Sequence, residues 1–95
     1  DPSVLHTLGV AQLRAGKLEE SKRNLAVALQ LRPVEPTLLL DYGHLLIAQG
    51  DKEQGLAHIR MALEYADQLG LEFPRRAEAE AAVKDSGTGV AKSGA

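Results

Sequence analysis

Apolar residues recur at helical spacing along most of this chain, and glycine and proline break the pattern at regular points. Leu5, Leu8, Ala11 or Gln12, and Leu13 or Ala15 keep a period near 3.6. They predict a first helix opened by Pro2-Ser3, with Asp1 or Ser3 to cap it. Gly16 is placed to end it as a left-handed cap, where a side chain would clash. A second helix is expected from about Lys17 to Leu31, with Leu18, Ser21, Leu25, Ala28 and Leu29 on one face and Glu19, Lys22 and Arg23 on the other. Arg32-Pro33 stops it, because proline disfavours the helical conformation in the residue before it. Pro36-Thr37 begins a third helix reaching Gln49 and carrying Leu39, Tyr42, Gly43, Leu46 and Ile47. After a tight turn at Gly50-Asp51, a fourth helix runs from about Lys52 to Leu69, with Leu56, Ile59, Ala62, Leu63, Ala66 and Leu69 on its buried stripe. Gly70 ends it, and Pro74 starts a fifth helix to about Lys84 whose apolar face (Phe73, Ala77, Ala81) is thin. The glycine- and serine-containing stretch after Asp85 has the composition of a flexible tail.

The pattern also repeats. Leu8-Gly9, Gly16 and Ala28-Leu29 recur as Tyr42-Gly43, Gly50 and Ala62-Leu63, each 34 residues on. Self-similarity at that period is the mark of stacked helix–turn–helix units. With Leu5, Leu8-Gly9, Gln12, Ser21, Leu25 and Pro33 in one unit, and Leu39, Tyr42-Gly43, Leu46, Gly55, Ile59 and Asp67 in the next, the chain resembles the tetratricopeptide repeat family. It departs from that pattern where Gln12 replaces an aromatic, where Leu and Ile replace bulky aromatics, and where Asp67 replaces a terminal proline. The resemblance implies an all-α solenoid of antiparallel helix–turn–helix repeats. Its first unit would span residues 1–34, its second 35–69, with a capping helix over 70–85 and a flexible tail over 86–95.

Composition narrows the function without naming it. The chain has 95 residues, of which 44% are apolar and only 3% aromatic, so its core must be built from Leu, Ala, Val and Ile. The net charge is −2 with no block of like charge, which leaves no basic footprint for nucleic acid. There is no cysteine, and so neither a disulfide framework nor a thiolate zinc site. No apolar run approaches the roughly 18 residues needed to span a bilayer, so direct membrane insertion is not expected. The chain starts at Asp1 and not at Met, which reads as a fragment or a processed product. Catalytic patterns are absent: the serines have no His–Asp arrangement, and Gly87-Thr88-Gly89 lacks the strand and spacing of a phosphate loop. No enzyme activity and no cofactor is expected.

The resemblance implies a concave face made by the first helix of each unit, where family members bind extended or helical peptides. Carried over residue by residue, the partner-binding candidates are His6, Val10, Leu13 and Arg14 from the first unit, and Leu40, Asp41, His44 and Ile47 from the second. Val10, Leu13, Leu40 and Ile47 exceed what packing within a unit needs, and surplus apolar surface marks an interaction site. The alternative is that these residues pack on the terminal helix or on another repeat. A chaperone-binding subclass uses a lysine–asparagine clamp on this face. Here His6, Val10 and Asp41 stand in its place, and the acid would repel a carboxylate. His6, Asp41 and His44 include the residue types of a metal site, although solvent-facing polar side chains are the stronger reading. The leading expectation is therefore a protein or peptide partner. Self-association through the edge of the first helix (Val4, Leu5, Ala11), or a non-catalytic scaffold segment of a larger protein, stands as the alternative.

Overall fold

The computed structural model describes the backbone of residues 1–94 and the side chains of residues 1–85. It is all-helical, with α1 (Pro2–Arg14), α2 (Leu18–Leu31), α3 (Pro36–Ala48), α4 (Lys52–Leu69) and α5 (Arg76–Gly94). The boundaries have local causes. Asp1 accepts a hydrogen bond from the Ser3 amide at 2.9 Å, and Asp51 accepts one from the Gln54 amide at 3.1 Å, so each satisfies an otherwise orphaned donor at a helix start. Gly16 and Gly50 turn the chain at φ +79° and +93°, a region that side-chain-bearing residues avoid.

α1 packs on α2, α3 on α4, α2 on α3, and α4 on α5. The close approaches inside the two hairpins explain the small residues. A Cβ on Gly43 would lie 2.6 Å from the Gly55 carbonyl oxygen and 2.6 Å from Ile59 Cγ1. One on Gly55 would meet Ile47 Cγ1 at 2.5 Å. In the first hairpin a Cβ on Gly9 would instead strike the Leu25 side chain at 2.6 Å. There Ser21, the counterpart of Gly55, donates its hydroxyl to the Gly9 carbonyl at 2.6 Å and so satisfies its own buried oxygen.

Two apolar clusters result. Leu25, Ala28, Leu38 and Leu45 form one between α2 and α3, with Leu5, Leu13, Leu18, Leu29 and Tyr42 packed against it. Leu39, Leu40, Leu56, Ile59, Ala62, Ala66, Phe73 and Ala79 form the other, among α3, α4 and α5. Leu29 touches both. α3 lies between them and is buried on most of its circumference, so Leu38, Leu39, Leu40, Leu45 and Leu46 are all interior. A helix apolar nearly all round is what a central position requires.

Several residues fall elsewhere than their spacing predicts. Leu8, Ala11 and Leu69 lie on exposed surface because no described helix covers them. On α5 the inward residues are Ala79, Ala82 and Val83, while Ala77 and Ala81 face out. Phe73 packs in from the loop before the helix, and that sets the register. α5 runs to Gly94, past the end expected near Lys84, since no proline follows Pro74 and the alanine-rich start propagates a helix well. Of the tail expected over 86–95, the side chains and the whole of Ala95 lie outside the described residues.

Candidate functional site

One face of the molecule is crossed by α1, α3 and α5, and their polar side chains meet there. His6 on α1 approaches Asp41 on α3 at 2.7 Å between Nε2 and Oδ2. Arg75, just before α5, donates from Nη1 to the other Asp41 oxygen at 2.8 Å. Arg75 also donates from Nε and Nη2 to Glu78 at 3.0 and 2.9 Å, a bidentate clamp. His44 completes the set, with its Nε2 at 2.9 Å from Glu78 Oε2. At the near edge Arg32 donates to Ser3 Oγ at 3.2 Å and to Glu35 at 3.4 Å. Glu35 Oε1 in turn lies 3.9 Å from His6 Nδ1.

Asp41 is 5% exposed, and its burial alone would push its carboxyl up. The hydrogen bonds from His6 and Arg75, together with the positive charge of Arg75, outweigh that cost and hold it below the ordinary value of 3.8. An ionised carboxylate only accepts, so His6 must carry its proton on Nε2. The hydrogen bond from the Arg75 guanidinium, helped by its charge and by His44, holds Glu78 below its usual range against the opposing effect of burial. The hydrogen bond to Glu78 is also the main reason the Arg75 value is raised, with Asp41 adding to it against burial.

The expected partner-binding residues therefore divide. Leu40 is fully buried against the core that contains Phe73 and Ala79, and Asp41 has both oxygens occupied. Neither offers itself to a partner in this structure, because the α5 segment covers them. Leu13 and Ile47 are half-buried and lean on the two apolar clusters. His44 is half-exposed and holds Glu78. His6, Val10 and Arg14 remain on the rim of an open hollow of about 290 Å³, lined also by Thr7 and Ala11. His6 and His44 reach different carboxylates, so the trio His6, Asp41 and His44 is not gathered into one site. Among the described residues no group of three His, Cys, Asp or Glu side chains is placed to hold a metal ion.

Sequence reasoning missed Arg75 and Glu78. The signal was there: Arg75 follows Asp41, and Glu78 follows His44, by the same 34 residues that separate the two units. Continuing the register into the fifth helix would have placed these charges in one row.

The described residues thus form an all-α fold whose five helices leave a polar row and a shallow hollow on one face. No family model matches the chain, nor does any curated protein or solved structure. No helix among the described residues is long and apolar enough to cross a membrane.

Proposed function

We propose that this chain is a protein-interaction module, built as a short solenoid of tetratricopeptide-like hairpins, that takes a peptide segment along the hollow of α1. One observation carries the reading: the hollow lined by His6, Thr7, Val10, Ala11 and Arg14 lies on the face that the repeat register assigns to a partner. The repeat itself is supported by the matched approaches of Gly9 to Leu25 and Gly43 to Ile59. Val10 supplies an apolar anchor site and Arg14 an exposed cation. The segment that fits carries an apolar side chain next to a carboxylate, so that burial at Val10 and pairing at Arg14 act together. The row from His6 to Glu78 keeps the wall rigid, which reduces the ordering cost of binding.

Peptides selected from a phage-displayed random library on the intact chain test this. Selected segments should lose affinity about tenfold, or about 1.4 kcal/mol, on Val10→Glu or Arg14→Glu, and keep it on Lys22→Glu, which lies on an exposed face of α2. Unchanged binding to Val10→Glu removes the hollow as the site.

A further inference from the structure

We propose that the His6 end of the α1 hollow is a subsite for a primary ammonium group, a lysine side chain of the bound segment, held between His6 Nδ1 and Glu35 Oε1. The inference rests on the hollow being the binding site and adds a second charge to the segment it takes. His6 is where the hollow and the polar row meet, since it lines the one and belongs to the other. Its Nε2 proton goes to Asp41, so in the neutral imidazole Nδ1 presents a lone pair. Nδ1 has no hydrogen-bond partner among the described residues, and no buried side-chain nitrogen or oxygen there lacks one, so solvent reaches Nδ1. It lies 3.9 Å from Glu35 Oε1, too far for a hydrogen bond between them. Two acceptors thus face each other at a separation that one nitrogen carrying several hydrogens can bridge.

Charge selects an ammonium over an amide. With neutral imidazoles the row holds three carboxylates, Glu35, Asp41 and Glu78, against two guanidinium groups, Arg32 and Arg75. A cation restores the balance, and an amide leaves it unmet. Arg32 already takes Glu35 Oε2 at 3.4 Å, so the carboxylate offers one oxygen and not the pair that a second guanidinium fork would use. The other end of the hollow has the opposite sign. Arg14 lies eight residues beyond His6, about 12 Å along the helix axis. An extended segment covers that distance in about four residues. The segment that fits therefore carries a lysine at the His6 end, an apolar side chain at Val10 and an acid at Arg14.

Asp41 is the positioning residue of this subsite, and Arg75 positions Asp41 in turn. In Asp41→Asn the side-chain carbonyl must face the Arg75 donor, which turns the amide NH2 toward His6. Nε2 then has to accept, the ring proton moves to Nδ1, and the acceptor for the ammonium is lost.

Phage selection on the intact chain, followed by peptide synthesis, tests this. Segments whose binding is lost on Val10→Glu should carry a lysine about four residues from their acid. Replacing that lysine by norleucine should weaken binding about tenfold on the wild type and change it little on Glu35→Gln. Asp41→Asn should weaken the lysine segment about tenfold and leave the norleucine segment unaffected. Long-range proton–nitrogen NMR of the free chain should show the His6 proton on Nε2 in the wild type and on Nδ1 in Asp41→Asn. Circular dichroism confirms that each variant keeps its fold. Segments that need Val10 but carry no lysine overturn the subsite and leave the hollow standing, as does a norleucine loss equally large on Glu35→Gln. A His6 proton that stays on Nε2 in Asp41→Asn overturns the positioning role. Segments indifferent to Val10→Glu, or no selectable segment at all, remove the hollow and the subsite with it.

Discussion

The two hairpins share a register and solve the same close approach differently. In α1–α2 the contact is between Gly9 and a leucine side chain, with the Ser21 hydroxyl bonded to the Gly9 carbonyl. In α3–α4, Gly43 and Gly55 bring backbone against backbone, and Ile59 closes the gap. Their surroundings differ as well. The second hairpin has α2 on one side and α5 on the other, whereas the outer side of the first carries exposed Val4 and Leu8. The comparison teaches that equal spacing in a sequence specifies an equal helical register but neither the same contact nor equal burial. Burial depends on which neighbour is present, and that decides what each position is worth.

The largest contrast is between matched positions. Leu38→Ala removes a fully packed side chain from between α2 and α3 and should cost about 2–5 kcal/mol in a urea titration. Val4→Ala, its counterpart, should stay within about 0.5 kcal/mol in the isolated chain. Equal losses would mean that the outer face of α1 is covered in solution. The next contrast concerns the glycines. Gly43→Ala pushes a methyl group into a carbonyl oxygen that cannot rotate away. It should cost about 2 kcal/mol even after the gain of about 1 kcal/mol in helix propensity. Gly9→Ala meets a side chain that can shift, so its net cost should stay under about 1 kcal/mol, and a reversal of that order would show that Leu25 is the more rigid neighbour.

The last contrast concerns the polar row. Asp41→Asn should cost about 1–2 kcal/mol near neutral pH, a figure reduced by the partial exposure of Arg75. The pH dependence has a definite sign. Asp41 and Glu78 are held below 3.8 and 4.5, so the stability they contribute is complete above about pH 4.5 and is lost as pH falls through their lowered values. Thermal melts of the wild type should therefore fall on acidification more steeply than those of Asp41→Asn. Parallel curves would show that the row contributes nothing to stability.

Much of this is legible in the sequence alone. The helix ends followed from Pro2, Gly16, Pro33, Pro36, Gly50 and Gly70, because each acts through its own backbone. Core residues such as Leu25, Ile59 and Ala62 followed from period and spacing. The candidate site was less legible. Leu40 and Asp41 look like surface residues on a helix considered alone, and only the approach of α5 makes them interior. Arg75 and Glu78 gain their role from partners 34 residues earlier, a relation that no local window contains. Leu8 erred the other way: its apolar character announces burial, yet no described neighbour delivers it.

Leu29 belongs to both apolar clusters, and α3 is wedged between them. Neither half of the chain can therefore be peeled away without opening the interior of the other. Drawn from its two ends in an optical trap, the molecule should give way in a single rip at one extension, with no pause for a half that stands alone.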